Sequence, residues 1–266
     1  MQRIVLAALL LSVAVAACAR IEIEEKFHQN IAATNKTQFI VDNMNGGIET
    51  EPSTTDTISI DVIKKVVGDS RETCADIMKK LKVIVIEEKG VATVRVSRVS
   101  TRNHNYAVHF KIKLPPRLEA RLETTNGSIS VSEHNADLRA ETTNGGIHIQ
   151  DCVGNVVAQT TNGGVAVSGK MRETAVRTTN GGIDLEVDLQ TNGKLEASTV
   201  NGGIDVVIPK DVSAKLVAET VNGSVRCRDF PVQISKRRTL GTGTLGSGSG
   251  TISLETVNGS ISIKAK

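Results

Sequence analysis

Apolar and polar residues alternate along most of this chain, and from residue 119 onward the alternation repeats itself. The unit is Asn-Gly-[Gly/Ser]-[Ile/Val], with Asn at Asn45, Asn126, Asn144, Asn162, Asn180, Asn201, Asn222 and Asn258. From Asn126 the intervals are 18, 18, 18, 21, 21 and 36 residues. A fixed period near twenty residues is the signature of a stacked repeat. Two residues before each of the last seven Asn stands Thr, and four before stands Leu, Ala or Val. Three and five after stand Ile, Val or Leu, with Cys227 as the one exception. The positions between are mostly polar, among them Glu123, Glu141, Arg177, Asp184 and Asp205. Period two on both sides of a bend predicts strand, tight turn, strand, with one apolar face.

One such unit cannot bury that face, but stacked copies can. Asn-Gly would also close hairpins. A hairpin meander, however, does not require Thr, Asn and Ile in the same columns at a constant step. Parallel coils do, because each column becomes a ladder in which Asn amides bond to the coil above and below. The fold class expected is therefore all-β, a β-solenoid-like stack of 18–21-residue repeats over residues 119–266. Asn and Gly at the bend suggest positive φ there. The 36-residue step reads as two turns, one of them stripped of its signature. The three-residue insertions read as longer outer loops near 187–194 and 207–215, and residues 241–250 as a Gly/Ser/Thr loop.

Residues 37–118 are less regular and predict a repeat-start and capping region. Residues 57–62 alternate as a strand. Residues 70–81 form a helix pattern, capped by Ser70, with Thr73, Ile77 and Leu81 spaced four apart. Residues 82–87 and 91–99 make a hairpin around Glu88-Lys89-Gly90, and 105–114 is a strand ended by Pro115-Pro116.

The first seventeen residues are an address. Arg3 precedes an apolar run from Ile4 to Ala17, too short for a confident membrane span and shaped like a secretory signal. Val15-Ala16-Ala17-Cys18 resembles the bacterial lipobox, which makes Cys18 the lipid-attachment residue; ordinary cleavage after Ala14-Val15-Ala16 is the alternative. Lipid chains at Cys18 would hold the protein on a bilayer. Ala19, following the Cys, favours the outer membrane in a Gram-negative cell. Residues 18–36 then read as a tether.

Composition narrows function. Lys and Arg total 32 against 29 Asp and Glu, and no block of one sign occurs, so nucleic acid is not an expected partner. With no Trp, one Tyr and four Phe, stacking platforms for bases or sugars are scarce. Cys74, Cys152 and Cys227 remain after Cys18, without metal-ligand spacing. Of the five His, only His104 and His109 are close enough to raise a metal site, and their spacing alone does not make one. His148 falls at an outward repeat position. The column Glu123, Glu141, Glu219, Glu255 is interrupted by Gln159, Arg177 and Ser198 and starts beside Arg121 and Arg139. It reads as a solvated face with ion pairs, not as the carboxylate pair of a polysaccharide-cleaving β-helix. No catalytic residue, metal or cofactor is expected.

Together these features resemble the bacterial putative-adhesin family of repetitive β proteins, a domain-of-unknown-function family. The resemblance rests on Pro115-Pro116-Arg117-Leu118 leading into 122–131, on Ile208-Pro209-Lys210 leading into 220–225, and on the Gly-rich 241–250 segment before Thr256-Val257-Asn258-Gly259-Ser260-Ile261. It covers roughly 37–266 and implies a solenoid-like envelope protein with no catalytic residues. The function expected is a rigid, non-catalytic cell-envelope scaffold held to the membrane by its lipid. Its partner would be another envelope protein or a polymer, and stacking of solenoid ends would let chains self-associate. An envelope-stress or assembly accessory bound to a membrane protein is the alternative, and a polysaccharide-processing enzyme a distant third.

Overall fold

The computed structural model describes residues 2–4, 20–100 and 105–266. Cys18, His104 and most of the expected signal lie outside the described residues. The chain forms two compact units, Met1–Ser128 and Ile129–Lys266. The fold is a repetitive β-solenoid-like stack, with one short helix among the described residues.

In the second unit each coil is a strand, an Asn-Gly bend and a second strand, and equivalent coils pair in parallel. Ile147, Val165, Ile183 and Ile204 stand in register on the strands after the bend, as do Ala158, Val176 and Ala197 on those before it. These columns are buried, so the core is a pair of aliphatic ladders turned inward. The threonines pack at the bend. Thr160, Thr178 and Thr199 donate their hydroxyls to the carbonyls of Gly145, Gly163 and Gly181 on the neighbouring coil, at 2.9, 2.9 and 3.0 Å. A Thr methyl fills the core edge while its hydroxyl satisfies a carbonyl that the bend leaves unpaired.

The 36-residue step has a different cause from the one expected. No unmarked coil exists between Asn222 and Asn258. Residues 228–239 lead into an antiparallel strand, Leu240–Leu245, that lies along Ala214–Asn222. Half of the expected 241–250 loop is thus strand. The chain then returns, and Gly250–Asn258 inserts between the strand ending at Asn201 and Ala214–Asn222, parallel to both. Ile261–Ala265 inserts likewise between Ile204–Ile208 and Val225–Cys227. The last coil in sequence is therefore the penultimate coil in space. The insertions also differ: Ile183–Asn201 is one continuous strand whose extra residues are absorbed where Glu173 pairs with Lys194 and not with a residue nearer Leu189, while 209–213 is a true loop.

The first unit repeats the device. Gln38–Asp42, the first coil strand in sequence, is flanked by Glu119–Asn126 and by Val91–Val96, parallel to both. Its continuation, Ile48–Pro52, pairs in parallel with Asn105–Leu114. Antiparallel strands close the ends: Val83–Glu88 on Val91–Val96, and Ile21–Ala32 on Thr57–Gly68, which itself lies on Asn105–Leu114. The Lys89-Gly90 turn carries φ of 45° and 82°, as a two-residue hairpin demands. The helix is Arg71–Lys80, with Ser70 Oγ accepting from the Thr73 amide at 3.2 Å.

Residues 18–36, expected as a tether, carry the twelve-residue strand Ile21–Ala32. Its inward positions are Ile23, Glu25, Phe27, Gln29 and Ile31, and the charge at Glu25 is the misleading one. It is offset by Lys64 on the partner strand, whose ammonium lies 2.7 Å from the Glu25 carboxylate and donates to the Leu81 carbonyl at 3.3 Å.

Candidate interaction surfaces

The Asn residues form amide ladders along the bends. Asn162 donates to Asn144 at 2.8 Å, Asn180 to Asn162 at 2.8 Å, Asn201 to Asn180 at 2.8 Å, Asn258 to Asn201 at 2.9 Å and Asn222 to Asn258 at 2.8 Å. In the first unit Asn126 donates to Asn45 at 2.7 Å. The inner amides, Asn162, Asn180, Asn201 and Asn258, each accept from one neighbour and donate to the next, a cooperative arrangement that fixes coil register. None of these Asn residues adopts positive φ. Of the motif glycines Gly46 carries positive φ, 118°, so in that coil the conformation expected of the bend falls on the glycine and not on the Asn.

The residue before the Asn is exposed, and it changes along the stack. It is Thr at Thr143, Thr161 and Thr179, then Val at Val200, Val257 and Val221 in spatial order. These three valines are 40%, 39% and 63% exposed and form a continuous apolar ridge beside the amide ladder. The switch from Thr to Val is visible in the sequence, but the adjacency of Val257 to both others is not.

The second unit carries a groove of about 990 Å³ on the outward face of the strands after the bend. His148, Asp184, Glu186, Asp205 and Lys264 line it, with Asp188 and Lys266 at one end. Lys266 bridges Glu186 at 3.1 Å and Asp188 at 3.0 Å. His148 stands exposed at the outward position expected of it. Asp184, Glu186 and Asp205 also stand exposed on a polar face, without the apolar enclosure that a glycosidic acid requires. The Glu column behaves as a solvated face at its start, where Arg121 pairs with Glu123 and Arg139 with Glu141. Glu219 and Glu255 are neighbours in register at the far end of the stack.

The first unit holds a hollow of about 840 Å³ lined by Asn45, Tyr106, His109 and Asn126. His109 Nδ1 accepts from the Gly47 amide at 3.2 Å, and burial, followed by the charge of Lys65, lowers its pKa. That nitrogen is thereby committed. Among the described residues no group of three or more His, Cys, Asp or Glu is placed to hold a metal ion. No helix among them is long and apolar enough to cross a membrane.

Among the described residues the thiols are not activated. Cys152 is 1% exposed and burial pushes its pKa up to about 11 from 9.0. Cys74 is buried and Cys227 half-buried, and burial raises both. A nucleophilic cysteine needs the opposite shift. Iodoacetamide at pH 8 is expected to label Cys227 first, and Cys74 and Cys152 only after denaturation; peptide mapping of the alkylated protein checks this. Because the folded Cys152 pKa exceeds the unfolded one, its share of stability is present below about pH 9 and is lost as pH climbs toward about 11.

The family model described as Toastrack DUF4097 matches residues 38–264. This chain belongs to that family. Solved structures also match the chain, at low identity. A putative adhesin from Bacteroides fragilis is 13% identical, covering 91% of this chain and 97% of its own, with a TM-score of 0.49. A putative cell adhesion protein from Clostridium sporogenes is 13% identical, covering 91% and 100%, at 0.38. A putative lipid binding protein from Parabacteroides distasonis is 13% identical, covering 91% and 96%, at 0.39. No curated protein matches the chain.

Proposed function

We propose that this Toastrack protein is a non-catalytic scaffold of the bacterial cell envelope, anchored by lipid at Cys18, that presents a rigid repetitive edge to a protein partner. The observation that carries this reading is the exposed Val200–Val257–Val221 ridge alongside a hydrogen-bonded Asn ladder. Contiguous apolar surface on a rigid element marks an interaction site more readily than a reaction site. The neighbouring groove pairs part of its own charge and encloses none of its carboxylates. The lipobox-like Val15-Ala16-Ala17-Cys18 supplies the proposed anchor.

The test is cross-linking in intact envelopes followed by mass spectrometry, comparing the native protein with Cys18→Ala and with Val200→Asn/Val221→Asn/Val257→Asn. One dominant neighbour is expected, lost in the triple variant and depleted when Cys18 is replaced. Retention of envelope polysaccharide with no protein neighbour would overturn the scaffold reading.

A further inference from the structure

We infer that Val83–Glu88 is an antiparallel docking edge for the same strand of a second copy of this chain. The inference rests on the proposed removal of residues 1–17. Val83–Glu88 ends one sheet of the first unit, paired on its inner side with Val91–Val96. On its outer side lies Gln2–Ile4, antiparallel, with Arg3 opposite Val85. That segment belongs to the expected signal. Its removal leaves a six-residue edge reading Val-Ile-Val-Ile-Glu-Glu, with high strand propensity and no Pro or bulge to blunt it. The edge strand of the other sheet, Ile21–Ala32, is protected differently: Glu22, Glu24 and Lys26 face outward, and Lys65 pairs with both glutamates.

The occupant follows from parity and charge. Ser97 N–H donates to the Lys82 carbonyl at 2.8 Å, and Lys82 N–H donates to Ser97 Oγ at 2.8 Å. Lys82 thus turns its backbone groups inward, and so do residues 84, 86 and 88, two apart along the strand. Val83, Val85 and Glu87 present theirs to the free edge. A second copy can therefore dock only with odd residues opposite odd residues. Centring the two-fold on Val85 places Val83 opposite Glu87 of the second copy. It also places Lys82, Ile84, Ile86 and Glu88 opposite Glu88, Ile86, Ile84 and Lys82. The strip is self-complementary, with two Lys–Glu pairs flanking four isoleucines, as an isologous interface requires. Shifting the centre by one residue either way keeps the parity but separates Lys82 from Glu88.

The register gives a direct test. Hydrogen-bonded antiparallel partners lie with Cα atoms about 5.5 Å apart, within disulfide reach. Val83→Cys/Glu87→Cys, exported by cells into an oxidising envelope, is expected to run as a covalent dimer on a non-reducing gel, while Ile84→Cys/Glu88→Cys remains monomeric. In the Val83→Cys/Glu87→Cys background, Lys82→Glu is expected to lower the disulfide-linked dimer at least about tenfold, since two attractive pairs become repulsive. Adding Glu88→Lys should restore it. Intact mass on the same samples reports whether residues 1–17 are gone. A processed protein that forms no 83–87 dimer, or forms the 84–88 dimer equally well, overturns the interface alone. A chain that keeps residues 1–17 overturns the reading of the leader and, with its edge occupied, the interface as well.

Discussion

Ending the chain at Ser249 should unfold the C-terminal half of the second unit. In an ordinary solenoid the last coil is the cheapest to lose, because it touches one neighbour. Here the last seventeen residues supply a coil with neighbours on both sides. Ile252, Leu254, Ile261 and Ile263 are all at most 1% exposed. At roughly 1.5–3 kcal/mol for each buried side chain, their removal costs on the order of 6–12 kcal/mol, comparable with the whole stability of a domain. It also uncovers Leu216, Ala218 and Val225 on one side and Ala197, Ile204 and Val206 on the other. Circular dichroism melts and limited trypsin digestion are the measurements. The truncated protein is expected to lose cooperative melting of this unit and to be cut within 210–249, at Lys215, Arg226 or Arg228. A melt preserved within a few degrees would mean that Ala214–Asn222 slides onto the Lys194–Asn201 segment and closes the gap. The shared Thr-Val-Asn-Gly sequence of the two coils makes that the specific competing outcome.

The same equivalence explains what was legible in the sequence and what was not. The columns, the Asn ladder, the buried Thr and the helix capped by Ser70 all follow from local spacing. Coil order does not, because every coil carries the same interface and the pattern cannot say which neighbours which. A 36-residue interval looks the same whether a turn has lost its motif or the chain has left the stack and come back between two earlier coils. The strand Ile21–Ala32 was hidden by a different effect. Glu25 falls on its inward face, and a charge there reads as a break in alternation until Lys64 is seen opposite it. The Val ridge was hidden by coil order, since its three members are 21 and 36 residues apart in sequence yet consecutive in space. The proposed anchor at Cys18 is read from the lipobox-like Val15-Ala16-Ala17-Cys18.

The first glycine of the motif was read as a turn residue, and the structure gives it another task. A Cβ on Gly181 would lie 2.0 Å from the carbonyl oxygen of Gly163, and one on Gly202 would lie 1.9 Å from that of Gly181. The same overlap recurs at Gly223 against Gly259 and at Gly259 against Gly202, 1.8 and 1.9 Å. These glycines let successive bends stack backbone on backbone at strand spacing. The second glycine has room: a Cβ on Gly182 meets nothing nearer than the Gly203 carbonyl oxygen at 3.7 Å. That difference accounts for the sequence, in which the second position accepts serine at Ser128, Ser224 and Ser260 while the first is glycine at all eight bends. Gly181→Ala should therefore cost about 3 kcal/mol, the upper range for forcing atoms into a packed interior, because the opposing atom is backbone and cannot rotate away. It should also disturb the Asn180–Asn201 amide contact and the Thr199 hydroxyl bond to the Gly181 carbonyl. Gly182→Ala should stay within about 0.5 kcal/mol, as an exposed turn substitution without strain does. Paired denaturant melts of the two variants decide it. Equal destabilisation would show that the bend is set by glycine flexibility, and a large gap would show that it is set by the distance between coils.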